Sequence, residues 1–339
     1  MRIDNLPPAI ETVVATGWEP SGLSDAEIED GEAYHRALYH SGDINQPANW
    51  HKESVDPLIK EAMDNISEGS LVVDYGTGTG GSAIELLKKL DEKGVTIDLV
   101  LIDPLVSWFA KAREILGNRE GVHFELSIRK NESGQISFRR LEEMLDGRQA
   151  DVIISSSTLH LVPPKAMDDL AIQFANSLSD EGVLIWDSGD LESDFRPKNS
   201  TLLHEPYRAV REILRNNSQR VDILSKLSNE EADKSEKRLD RIFPLPFSVE
   251  VIIDSMKEAG FTSQISEKVV EFENDDAERF VLVPRLAEIA APLVVGEQRD
   301  KEIRESLKVA LKRISDDGKG TDSSYRSHWI YGTHRLGNF

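Results

Sequence analysis

A length of 339 residues leaves room for about two domains, or for one α/β domain with insertions, and one elaborated domain is the first expectation. Hydrophobic residues at 39% with 22 glycines support a sizeable core and exclude global disorder, while 40 basic against 61 acidic residues, a net charge of −21, disfavour a broad surface for phosphate backbones or anionic lipid and suit a small or cationic substrate. The absence of cysteine excludes disulfide scaffolds, thiolate zinc clusters and cysteine nucleophiles.

The first residues, MRIDNLPPAI, hold one early arginine and no apolar segment of the signal-peptide kind, and no later stretch approaches the roughly 18 uncharged apolar residues a membrane helix needs. The chain therefore reads as soluble and cytoplasmic, with no nucleic-acid and no membrane partner. Residues 1–53 read as a helical cap segment, with Ile28, Ala33, Ala37 and Leu38 near helical spacing between Asp25 and His40. A second helix is expected from a Ser54 cap, with Val55, Leu58, Ile59, Ala62, Met63 and Ile66 as its apolar stripe.

From there the chain alternates. Short β-branched runs at Leu71–Tyr75, Val95–Asp103, Val122–Ile128, Ala150–Ser157 and Gly182–Ser188 read as strands, separated by helical patterns at Ser82–Leu90, Ser107–Leu116, Phe138–Leu145 and Met167–Leu178. After Asp190 the rhythm breaks at residues 191–243, an insertion with a helix at Leu202–Asn216 and a mixed charge run at Asn229–Arg241 that reads as a solvated face. Residues 244–272 resume the pattern: Ser248 as cap, Gly260 as helix stop, then a sixth strand from Thr262 to Phe272. A second helical insertion, 273–324, carries Ile303, Leu307, Ala310, Leu311 and Ile314 on one face, a stripe that suits either a cap on its own domain or a homodimer contact. Residues 325–339 hold a closing strand at Ser327–Leu336. Right-handed crossovers make this α/β, a doubly wound, Rossmann-like, seven-stranded and mostly parallel sheet with helices on both faces, a core of residues 54–190 continued late, plus a helical cap.

The most specific feature is VVDYGTGTGGSA. Asp74 ends a buried strand, Gly76, Gly78 and Gly80 turn the chain, and a helix starts near Ser82, so backbone N–H groups meet a ligand at close range. Asp103, about 20 residues beyond the last glycine, ends the next strand, where a carboxylate accepts ribose hydroxyls. Gly76, Gly78 and Gly81 also satisfy GxGxxG, so a nicotinamide dinucleotide fits the spacing as well. Asp74 separates the two: a carboxylate before the first glycine opposes a pyrophosphate and favours a cation.

The DxGxGxG arrangement at Asp74, Gly76, Gly78 and Gly80 resembles the first motif of class I S-adenosylmethionine-dependent methyltransferases. Asp103 resembles the ribose acid of the second motif, and ADVIISSSTLHLV, with Asp151, Leu159 and His160, resembles the fourth-strand segment of the small-molecule methyltransferases. FSVEVIIDSMKEAGF is similar to the helix before their sixth strand, whereas HFELSIRK lacks the Gly-Asp of the third motif, whose acid contacts adenine. The resemblance implies S-adenosyl-L-methionine as cofactor, held by Asp74, Tyr75, Gly76, Thr77, Gly78, Gly80, Asp103, Pro104 and Ser156, and methyl transfer to O, C or N of a small organic acceptor.

In-line displacement needs alignment and, for some acceptors, removal of a proton. His160, past the end of the fourth strand, is the best-placed base, with packing as its bland alternative, and His204, in the lid-forming insertion with Glu205 and Tyr207, is a second candidate. Trp186, Asp187 and Tyr207 are candidate substrate contacts, core packing being the competing role for the tryptophan. Tyr34, His35, Tyr39, His40, Trp50 and His51 are placed to cover the cofactor or, for Tyr39 and Trp50, to staple onto the sheet. The eight histidines show no HxH or HExxH spacing, so metal-independent transfer is expected. A nicotinamide-dependent oxidoreductase and a non-catalytic nucleoside-binding scaffold are the alternatives.

Overall fold

The computed structural model describes residues 15–130, 134–216, 228, 230, 245–292 and 294–337, so most of the charge run at 229–241 lies outside the described residues. Strands β1 (Thr16–Gly17), β2 (Leu71–Tyr75), β3 (Asp98–Asp103), β4 (Val122–Leu126), β7 (Ala150–Ser156), β8 (Leu178–Ser188), β9 (Phe261–Glu273) and β10 (Ser324–Leu336) form one sheet in the order β1-β4-β3-β2-β7-β8-β10-β9. The seven expected strands are there, and the eighth, β1, is a two-residue edge that pairs parallel with β4. The closing strand is not at an edge: β10 runs antiparallel between β8 and β9.

Period-two burial places alternate residues on opposite faces. Val72, Leu99 and Leu101 pack under α2 (Asn49–Met63), α3 (Gly81–Lys93) and α4 (Val106–Leu116). Val73, Val100 and Ile102 pack on the other side with α5 (Leu141–Met144), α6 (Met167–Ser177) and α8 (Glu250–Glu258). Helix α2 begins earlier than expected: Ser54 does not cap it but donates its hydroxyl to the His51 carbonyl inside the helix. After β4 the chain makes a hairpin of β5 (Ile128–Lys130) and β6 (Ile136–Phe138) instead of continuing one strand and entering a helix at Phe138.

The additions cohere on one end of the sheet. Helices α1 (Asp25–Leu38), α7 (Glu205–Arg215), α9 (Asn274–Val281), α10 (Pro284–Ala290) and α11 (Gly296–Asp316) pack on one another, with α1 against α4 and α11 against α7. The apolar stripe Ile303, Leu307, Ala310 and Ile314 is buried in this cap, which uses it within the chain. No helix among the described residues is long and apolar enough to cross a membrane.

Candidate active site

The strand order reverses between β2 and β7, and in open α/β sheets the crevice at the carboxyl ends of such strands receives the ligand. A cavity of about 600 Å³ opens there, floored by the β2–α3 and β7–α6 loops and roofed by α1, α2, α9, α10 and the residues leading into α7. That volume is in the range of small-molecule sites.

The glycine loop is shaped by its own contacts. Gly76 (φ 83°), Gly78 (φ 57°) and Gly80 (φ 91°) all occupy the left-handed region, and a Cβ on Gly76 would lie 2.2 Å from the Thr158 hydroxyl. Gly78 N donates to Asp103 Oδ2 at 2.7 Å and Leu105 N to Oδ1 at 2.6 Å, so the carboxylate ties the loop to the end of β3 while facing the cavity. Burial pushes the Asp103 carboxyl up to about 6, against the two N–H bonds that favour its charge. Over this corner Tyr34 stacks on Trp108 with ring centroids 3.7 Å apart. Trp108 Nε1 and Ser107 Oγ donate to Asp30, and Arg285 N does the same at 2.9 Å, which brings α1, α4 and α10 together.

At the other end His160 Nε2 and His204 Nε2 are 3.2 Å apart, both residues buried and both lining the cavity. Ser188 Oγ lies 3.0 Å from His160 Nδ1. Asp190 accepts from His204 N and from both terminal nitrogens of Arg208 at 2.9 and 2.6 Å. Burial pushes His160 down to about 4 and His204 to about 3, so both are neutral imidazoles at pH 7. Burial would raise the Asp190 carboxyl, but His204 and the Arg208 guanidinium outweigh it and hold it well below the usual carboxylate range.

Of the residues named from the sequence, Tyr75, Gly76, Thr77, Gly78, Asp103, Pro104, Ser156, His160 and His204 line the cavity, as do Tyr34, Trp50 and His51. The others lie elsewhere. Asp74 sits beneath the loop, where Ser82 Oγ donates to Oδ2 at 2.9 Å; its buried Oδ1 has no hydrogen-bond partner among the described residues, and burial pushes its pKa up to about 7. It braces the loop from below and does not line the cavity. Gly80 caps α3 behind the loop. Trp186 is a core residue whose indole N–H donates to His334 Nε2 at 2.7 Å, because period two points it away from the crevice and against Gly332. Tyr207 is buried under the cap with its hydroxyl on the Leu286 carbonyl. Asp187 stands one layer back and accepts from Ser156 Oγ and Ser157 N, both cavity residues. Trp108, Phe280, Arg285 and Arg208 were missed: each lies on a helix where its spacing suits core or solvent equally.

The residues fit a sulfonium nucleoside. The loop offers left-handed glycines and a helix start, Asp103 presents a carboxylate to the cavity, and Ser127, Phe138 and Arg139, from the segment after β4, also line it.

No protein-family profile matches the chain. Among curated proteins it is similar to the carboxy-S-adenosyl-L-methionine synthase of Nautilia profundicola, 23% identical over 220 residues, or 64% of this chain and 80% of that one. Among solved structures it resembles a candidate sarcosine dimethylglycine methyltransferase from Galdieria sulphuraria, with TM-score 0.50 and 13% identity over 92% of this chain and 99% of that one. A phosphoethanolamine N-methyltransferase 2 of Haemonchus contortus matches at TM-score 0.42 and 11% identity, over 91% of this chain and 60% of that longer one. The sheet order, the glycine loop and the Galdieria likeness agree, and the chain has the Rossmann-like fold of the class I S-adenosylmethionine-dependent methyltransferases.

Proposed function

We propose that this protein is an S-adenosylmethionine-dependent methyltransferase acting on O, C or N of a small organic acceptor. The observation that carries the proposal is one cavity with two chemically distinct ends: the Gly78–Asp103 corner, which suits a ribose, and the buried His160–His204 pair. The acceptor's lone pair forms the bond to the methyl carbon while the sulfur keeps the electron pair of the breaking S–CH3 bond and leaves as a neutral thioether. In this reading His160 and His204, neutral and lining the cavity, activate the acceptor by accepting a hydrogen bond from it. The likeness to a carboxy-S-adenosyl-L-methionine synthase, and the fold, support use of an S-adenosyl sulfonium, here S-adenosylmethionine.

The nicotinamide reading is weaker on topology. A dinucleotide fold is built from two parallel halves, whereas here β10 enters antiparallel between β8 and β9. We infer that the protein works in the cytoplasm on a free small molecule, in keeping with its net charge of −21. Calorimetric titration with S-adenosylhomocysteine, with NADH as control, is the test. Saturable binding of the first alone is expected, and binding of NADH alone overturns the reading. His160→Ala is expected to lower turnover at unchanged S-adenosylhomocysteine affinity; unchanged turnover makes His160 structural.

A further inference from the structure

We propose that His160, Asp190 and His204 form a binding site for one divalent transition-metal ion at the acceptor end of the cavity. The proposal deepens the function above and departs from the metal-independent transfer expected from the sequence.

The three side chains come from three separate segments: the loop after β7, the turn after β8 and the start of α7. Each offers one donor atom, all within 4.8 Å of one another, and all three residues are buried. The imidazole spacing is specific. Two nitrogens bound to one ion at about 2.0–2.1 Å lie about 2.9 Å apart at a right angle and about 3.4 Å apart at a tetrahedral angle, and the observed separation of the two Nε2 atoms is 3.2 Å.

The surroundings suit ligation. Ser188 Oγ, 3.0 Å from His160 Nδ1, can accept a hydrogen bond from a proton on Nδ1, which leaves the Nε2 lone pair for the site; such outer partners orient most metal-binding imidazoles. As a hydrogen-bonded pair the two neutral rings share one Nε2 proton. Ion binding needs only that this proton move to a Nδ1, with none lost.

Asp190 is partly occupied. Oδ1 accepts from Arg208 and from His204 N, and Oδ2 from Arg208 alone, so one of its four lone-pair positions is left for a single-oxygen contact. The Arg208 charge opposes tight binding and favours an exchangeable ion. Two imidazoles and one carboxylate select zinc, iron, cobalt or manganese over magnesium or calcium, which prefer oxygen alone. Because His160 and His204 line the cavity, the remaining coordination positions face the acceptor, and with the ion bound acceptor activation passes from the rings to the metal.

The test is titration of the EDTA-stripped full-length protein with Co2+, followed by its visible absorption and by calorimetry. One equivalent is expected, unaffected by excess Mg2+ and weakened at least about tenfold in His204→Ala. Ser188→Ala, which removes no ligand, is the second variant: it is expected to weaken Co2+ about tenfold while circular dichroism shows the fold retained, the metal-free melting temperature falling because Asp190 N loses its Ser188 Oγ acceptor. Absence of saturable Co2+ binding, or wild-type affinity in both variants, overturns the site. Titration of the same sample with S-adenosylhomocysteine separates the two readings. Nucleoside binding without Co2+ binding overturns the metal site alone, and Co2+ binding without nucleoside binding overturns the methyltransferase alone.

Discussion

Asp103→Asn isolates the charge that the cavity offers to a ribose. The substitution keeps the side chain's size, and its consequences divide cleanly. An amide has one acceptor oxygen, so either Gly78 N or Leu105 N, now 2.7 and 2.6 Å from the carboxylate, loses its partner. That penalty falls on free and bound protein alike and appears in the melting temperature. Binding loses only the difference between charge-assisted and neutral hydrogen bonds, about 1–1.5 kcal/mol each, or about 2–3 kcal/mol for two ribose hydroxyls. This is roughly a 30- to 150-fold weaker S-adenosylhomocysteine Kd at pH 7.5. A pH series adds a second readout. Burial raises the Asp103 carboxyl to about 6, and a protonated carboxyl loses its acceptor advantage. Wild-type affinity is therefore expected to hold above pH 6 and to fall by up to about tenfold per unit below it, while the variant stays flat. Calorimetric affinity within about threefold of wild type at pH 7.5, or the same pH profile in both proteins, refutes the role.

Gly76→Ala forces a Cβ against Thr158 at a left-handed φ of 83°, and about 1–3 kcal/mol of strain is expected to lower both melting temperature and S-adenosylhomocysteine affinity; wild-type values for both would show that the loop has room. Asp187 keeps a proton in the folded state up to about pH 7 that the unfolded chain releases near pH 4, so its contribution to stability is present at low pH and is lost as pH rises toward 7. Asp187→Asn is neutral throughout, and its melting temperature relative to wild type is expected to rise from pH 4.5 to 7.5; a flat difference contradicts the assigned shift. Leu307→Ala removes a 2%-exposed side chain from the α11 face packed in the cap and is expected to cost about 2–5 kcal/mol by urea unfolding, with a cost under about 1 kcal/mol showing that the cap can close the gap.

The core was legible because its signals are local. Strand runs such as Leu71–Tyr75 and Ala150–Ser156 need only β-branched residues and flanking turns, and the glycine loop needs only left-handed φ where the chain turns. Element edges were less legible. The β5–β6 hairpin hides because its strands are only three residues each in a polar stretch, although Ser133-Gly134 between them is a turn signal, and α2 starts ahead of Ser54, where Trp50 stacks on Phe272 and His51 meets Tyr39. Side-chain roles failed where they depend on facing. Trp186 and Tyr207 have residue types that suit a pocket, yet Trp186 points to the core side of β8 and Tyr207 lies between cap helices.

By itself the sequence determined the alternating architecture, the loop that turns on Gly76, Gly78 and Gly80, and the acid at the end of β3, since each depends on residues adjacent in the chain. Only the tertiary structure decided that Asp74 braces the loop from beneath, that α7 and α11 bury their apolar faces on each other, and that His160, Asp190 and His204 meet. Those outcomes depend on the twist of the sheet and on how separate segments pack, as for His160 and His204, which lie 44 residues apart, and no spacing rule encodes a contact between side chains whose separation is set by the packing of everything in between.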